Sequence, residues 1–333
     1  DSFAAMPCAF ATRLAPFRCD TPKPMVTRLH VEFDMNMIAH PGGRSELRHQ
    51  AQRARLLGSP FVAEVLAAAD RQLAHAPRTS ALIGHWQGDA AAAALGLRLN
   101  SAIHALARRG TPPILKALFD HRHDDFDAAL ATAFQTEDHF IANWMRSPTQ
   151  TNEVGRAVAL AAALMVVRRD TGFPAELLEV GASCGLNLNL DRYAYDLDGT
   201  SAGAPASPVL IAPAWSGSAP PAEPLEIVSA RGVDLNPLDP RDEATRERLM
   251  SYVWPDQPRR AQRLEQALEL ARRAVPHVKR SEALSTQWCC NIFARRKKRH
   301  SATCSTMRGG LRMLIVRWPG LRSNGTRRAV RCS

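Results

Sequence analysis

From Ser45 to Arg169 the apolar residues recur at helical spacing. Leu47, Ala51, Ala54 and Leu57 follow a capping Ser45 and stop at Gly58-Ser59-Pro60. Residues 61–74 repeat the pattern with Val62, Val65, Leu66 and Ala69. Residues 90–109 place Leu95, Leu99, Ile103 and Leu106 on one face. Shorter helices are expected over 114–119, 126–134 and 139–145, and a strongly apolar one over 157–169. The period changes at Pro174. Residues 176–180 form a short apolar run that meets Gly181, as a buried strand does. A second strand is expected over 225–229, running out near Gly232-Val233-Asp234, and a third over 277–279. Between them, 258–274 reads as a helix, and 196–223, rich in Gly, Ala, Ser and Pro, as a long loop. Strands alternating with helices imply an α/β fold with a parallel sheet. The expected organisation is a leader over 1–43, a helical domain over 44–172, a nucleotide-cofactor domain over 173–283 and a basic tail over 284–333.

Charge sharpens that division. The net charge of +11 invites a nucleic-acid reading. However, Lys279 to Ser333 holds 14 Lys and Arg and one acid, Glu282, so the rest of the chain carries 29 basic and 31 acidic residues, a net of −2. The body is near neutral and the excess is in the tail. No apolar run approaches the roughly 18 to 20 residues of a membrane span, and no signal peptide is expected after Arg13 and Arg18. Seven cysteines without a C-x-x-C pair argue against zinc and for a reducing, cytoplasmic setting. Met35 or Met37 is a candidate start, which would make the preceding residues upstream translation; an ordinary terminal segment is the alternative.

The candidate chemistry begins at Glu179-Val180-Gly181-Ala182-Ser183-Cys184-Gly185-Leu186-Asn187, an E-x-G-x-S-x-G pattern after a strand. Glycine suits a sharp turn, and it lets backbone lie against a ligand. A helix opening after Gly185 would aim free N–H groups into the crevice. The plainer reading is a strand-to-helix turn with no ligand. Asp234, with Asn236, ends the second strand, where a fixed anion can accept from both hydroxyls of a ribose; it can equally belong to the turn. Glu282 follows the third strand and can accept from an adenine amino group, or be an exposed loop acid. Gln150, Asn152, Glu153 and Arg156 precede an apolar helix, with Asn152 and Arg156 one turn apart and able to face one cleft, or else to serve as cap and surface residues. Trp254-Pro255-Asp256-Gln257 is a rigid turn, either at the substrate side or around a buried tryptophan. His85, His104 and the other histidines and cysteines of the body show no ligand or triad spacing.

Glycine loop, Gly-Val-Asp-Leu-Asn-Pro and acid-Ala, in that order, resemble class I methyltransferases, with Ser183 where that family has a glycine and a longer interval before Asp234. A closer likeness runs from Ser45 to Ala283. Gln150-Thr151-Asn152-Glu153-Val154-Gly155-Arg156, the loop itself, Asp191-Arg192-Tyr193, Asp234 to Asp239, and Tyr252-Val253-Trp254-Pro255-Asp256-Gln257 resemble the bacterial family of domain of unknown function 2332. The resemblances imply a Rossmann-like, methyltransferase-type sheet, cut short at its C-terminal end, and S-adenosylmethionine as the cofactor. Glu179, Gly181, Ala182, Ser183, Gly185, Asn187, Asp234, Asn236 and Glu282 would hold it. Gln150, Asn152, Glu153, Arg156, Trp254 and Asp256 would face a small-molecule or macromolecular acceptor, without a metal. A dinucleotide-dependent oxidoreductase and a non-catalytic scaffold are the alternatives. Against the oxidoreductase, its acid is expected about twenty residues past the loop.

After Ala283 the likeness ends: the family continues with a strand and a His-Ser…Trp-Gln-Tyr motif, whereas this chain reads Arg295-Arg296-Lys297-Lys298-Arg299-His300. A shifted reading frame is the favoured explanation and a genuine nucleic-acid-binding tail the other. Residues after about Ala283 are expected not to complete the sheet and to be largely disordered or loosely packed.

Overall fold

A computed structural model describes residues 43–281, 303–304 and 313–317. The leader, Glu282 and most of the tail lie outside the described residues, and so do the expectations placed on them. The helical region runs as α1 (Gly43–Leu56), α2 (Pro60–Gln72), α3 (Pro77–Gly84), α4 (Leu95–Arg109), α5 (Pro113–Phe119), α6 (Phe126–Arg146) and α7 (Ala157–Thr171). Leu95, Leu99, Ile103 and Leu106 are buried, as their spacing requires, and pack with Val65, Leu73, Phe134 and Ile141 around one apolar core. Residues 90–94 are not helical: Ala94 takes a left-handed φ of 53°, and the Asp89 carboxylate accepts from the N–H groups of Ala91 and Ala92. A local side-chain turn overrides alanine's helical preference there. The two helices expected over 126–145 are one, kinked at Glu137 (φ −123°, ψ 16°).

The second half holds β1 (Ala175–Val180), β2 (Ala194–Leu197), β3 (Thr200–Gly203), β4 (Leu210–Ile211), β5 (Ile227–Asp234), α8 (Glu243–Ser251), α9 (Pro258–Arg273), β6 (Val278–Arg280), β7 (Thr303–Cys304) and β8 (Met313–Arg317). The fold is mixed α/β. The main sheet has the order β6-β5-β1-β8-β7, with β1, β5 and β6 mutually parallel. Residues 196–223 are not only a loop: β2, β3 and β4 make a separate three-stranded sheet.

The sheet does not stop at its third parallel strand, contrary to the expectation of a truncated edge. β8 lies antiparallel to β1, Val180 opposite Met313 and Glu176 opposite Arg317, and β7 pairs with β8. Met313-Leu314-Ile315-Val316 is a short apolar run, and β1 offers it a free ladder edge, so pairing satisfies backbone groups that would otherwise stay open. Among the described residues no helix is long and apolar enough to cross a membrane.

Candidate functional site

β1 ends at Val180 and hands over to a loop that three left-handed residues shape: Gly181 (φ 72°), Ser183 (φ 55°) and Gly185 (φ 72°). Gly181 and Ala182 donate their N–H groups to the Val233 carbonyl at 2.8 and 3.2 Å, which pins the loop to the end of β5. Parallel pairing of Val180 with Val233 brings Asp234 directly beside the loop. Asp234 is buried, and its carboxylate accepts from Ser183 N–H at 2.7 Å and from Asn236 N–H at 2.8 Å. Ser183 and Asp234 are 51 positions apart. The intervening chain includes the small β2–β4 sheet and the segment 212–226 that leads into β5.

Gln150 completes the network. It accepts from Ser183 Oγ and donates to the Asn236 carbonyl at 3.0 Å. Leu238 N–H donates to the Ser183 carbonyl at 3.1 Å. One residue of the expected substrate side, Gln150, thus joins three of the expected cofactor side: Ser183, Asp234 and Asn236.

The α-helix expected after Gly185 is absent. Leu186–Arg192 is a 3₁₀ segment with a break at Asn189. The alternation of buried Leu186, Leu188 and Leu190 with Asn187 and Asn189 does not carry a helical stripe. Asn187 Nδ2 donates to Glu179 Oε1 at 3.3 Å, and both residues are buried. Tyr193, wholly buried, donates its hydroxyl to the Leu186 carbonyl; burial, with the nearby Glu179 charge, pushes its phenol far up. Gly185 and Gly232 are closely packed. A Cβ on Gly185 would stand 2.6 Å from Pro276 Cβ and 2.7 Å from Val278 Cγ2, and one on Gly232 would stand 2.6 Å from Ala182 Cβ.

The remaining predicted residues go elsewhere. Asn152 and Glu153 line a solvent-open depression with Tyr252, Val253 and Arg260. Arg156 is not among its lining residues, because the chain from Asn152 is not a helical turn; a 3₁₀ segment, Val154–Arg156, begins only after Glu153. The cations that meet Glu153 are Arg260 and, at 3.2 Å, Arg263, and Gly155 N–H donates to it at 2.9 Å. Burial alone would push this carboxyl up; Arg260, the Gly155 N–H and Arg263 together hold it below the usual range. Trp254 packs with Ala54, Val62, Ala63 and Leu66 of α1 and α2. Asp256 receives the Ser59 hydroxyl, with oxygen distances of 2.8 and 2.6 Å. Trp254 and Asp256 therefore tie the α8–α9 turn to the helical region, which is the buried-tryptophan reading of that turn. Arg260 and Arg263 escape a reading by motif: they meet Glu153 only through the tertiary fold, and their sole local signal is a helix that opens on arginines.

A family model described as an uncharacterized protein conserved in bacteria (DUF2332) matches residues 44–304. The match continues past Ala283, where the motif likeness ends. No curated protein and no solved structure matches the chain.

Proposed function

We propose, from the premise that this chain belongs to the DUF2332 family of bacterial proteins, that the crevice between the glycine loop and Asp234 holds S-adenosylmethionine, and that the fold presents it to an acceptor. The observation that carries this reading is the placement of Gly181–Gly185 and Asp234 side by side at the carboxyl ends of adjacent parallel strands. That is where open α/β sheets hold nucleotide-type ligands. Asp234 fits a ribose. A carboxylate has about four acceptor sites, so two backbone bonds leave capacity for two hydroxyls. Leu235, 57% exposed, sets an apolar side chain at the same strand end, where a base would lie. When bound, the cofactor would supply an electrophilic methyl group. The chain's part would be to orient it, through Asp234 and the loop backbone, with Gln150 fixing both, so positioning carries the catalysis.

Calorimetric titration of the full chain with S-adenosylmethionine and with its demethylated product tests this. Saturable binding that Asp234→Ala abolishes is expected. Heat with neither ligand, or binding only of NAD in a parallel titration, rejects it.

A non-catalytic scaffold is the second reading, and one observation favours it. The space that Gly185 leaves open is taken by Pro276 and Val278, so its glycine requirement is met without a ligand.

A further inference from the structure

The depression beside Glu153 is a second place where chemistry is left open. Thr151, Asn152 and Glu153 face Tyr252, Val253 and Arg260 across it. Helices ordinarily open on acids, because the N-terminal end of the dipole is positive. α9 opens Pro258-Arg259-Arg260 and has no acid in its first turn. Arg260 and Arg263, three positions apart and so on one face, both reach Glu153. Two guanidiniums on one carboxylate leave a positive excess, and the helix N-terminus adds to it.

An unused donor stands on one of its lining residues, and others lie on residues near it. Tyr252 is 4% exposed, and its buried hydroxyl has no hydrogen-bond partner among the described residues. Arg263 Nε is in the same condition. Arg98, within electrostatic reach of Tyr252, donates to the carbonyls of Ala93 and Met145 at 2.8 and 3.2 Å and stacks on Trp86. It has no carboxylate partner among the described residues. Burial pushes its guanidinium below the usual range, with Tyr252 acting in the other direction. A buried hydroxyl without an acceptor is relieved by an anion with several acceptor oxygens.

We infer that this depression binds a small oxyanion, the carboxylate or phosphate group of a metabolite. Arg260 and Arg263 supply the charge and the Tyr252 hydroxyl a directed donor; Glu153 occupies part of the positive field and limits the affinity. The site does not depend on the cofactor reading, because none of these residues bonds to the glycine loop or to Asp234.

The full chain is titrated calorimetrically with inorganic phosphate and, separately, with acetate. Saturable binding of at least one is expected, the tighter of the two identifying the ligand as a phosphate or a carboxylate. Tyr252→Phe, which removes only the unpartnered hydroxyl, should weaken binding about tenfold. Glu153→Gln should strengthen it by a similar factor, about tenfold, since the resident negative charge is gone; a role confined to structure would not produce a gain. Circular dichroism of each variant establishes that it is folded. Binding of neither ion, or affinities unchanged in a folded Tyr252→Phe, overturns the inference.

Discussion

Ser183 N–H donates to Asp234 Oδ2 at 2.7 Å, and so joins the loop after β1 to the end of β5 across 51 positions of sequence. With Asn236 N–H on the other carboxylate oxygen, Asp234 is a structural tie as well as a candidate ligand. Asp234→Asn sets an amide N–H₂ against a backbone N–H. It is expected to lower stability by about 1–3 kcal/mol, read as a lower urea midpoint at unchanged m-value. A wild-type midpoint in this variant would mean that the tie carries no stability.

Two glycines with similar backbone conformations separate strain from packing. Gly185 (φ 72°) has no room for a methyl group, whereas Gly217 (φ 91°) has nothing within 4 Å of its would-be Cβ. Gly217→Ala should cost about 1 kcal/mol from conformation alone, and Gly185→Ala a further 1–3 kcal/mol, roughly, from overpacking. Equal denaturation midpoints for the two variants would show that Pro276 and Val278 move aside freely.

His104 makes the stability depend on pH. It is partly buried, stacks on Phe119 and donates Nδ1–H to the Ser251 carbonyl at 3.1 Å; desolvation holds its pKa down to about 4. The unfolded chain takes up a proton near 6.5, the folded one only near 4. Stability is therefore full above pH 6.5 and falls as the pH drops towards 4, by about 3 kcal/mol from this residue. Glu153, whose carboxyl is held down in the fold, adds a loss of the same sign below its ordinary pKa of 4.5. His104→Asn should flatten the profile between pH 4 and 6.5 in urea titrations; an unchanged slope there would place the pH dependence elsewhere.

The α8–α9 turn is held by Ser59. This residue precedes Pro60 at the start of α2, and its hydroxyl goes to Asp256 and not to the helix. Ser59→Ala leaves a part-buried carboxylate short of a donor, with an expected loss of about 1–3 kcal/mol. In a double-mutant cycle with Asp256→Ala the two changes should be strongly non-additive. Simple additivity would show that the contact contributes nothing.

Ile315→Pro examines the far edge of the main sheet. Ile315 lies opposite Leu178 in the β8–β1 ladder, and proline there removes a ladder donor. A lower urea midpoint and faster amide exchange in β1 are expected. Unchanged exchange across residues 175–180 would mean that β8 does not protect the strand.

The apolar stripes of α4 and α7 and the strand before Gly181 were legible because each buries one face at its own period. α8 was not, since Glu243–Ser251 is mostly polar and buries only Thr245, Leu249, Met250 and Ser251. α3 was not legible either, since it buries only Thr79 and Ile83 and so carries no apolar stripe. The split of α6 was drawn on either side of Glu137, where the helix does bend. At the site, the adjacency of the loop and Asp234 could be read from motif order, because parallel strands bring their carboxyl ends together. The company of Glu153 could not. Arg263 lies 110 positions from it, and only the docking of α9 brings them within reach.

The pairing of β1 with β8 also bears on how the chain is made. Synthesis runs from the N-terminus, and the helical region, whose helices pack on one another, can collapse as it emerges from the ribosome. β1 follows, but its neighbour β5 comes only after the small sheet, and β8 last of all the described strands. Until β5 is made both edges of β1 stay open, and one stays open until β8, with Leu177, Leu178 and Val180 in a row of unmatched backbone groups, the kind of surface on which nascent chains cross-pair. The nascent protein thus has a stretch of its own translation in which chaperone cover at β1 matters more than anywhere in the helices before it.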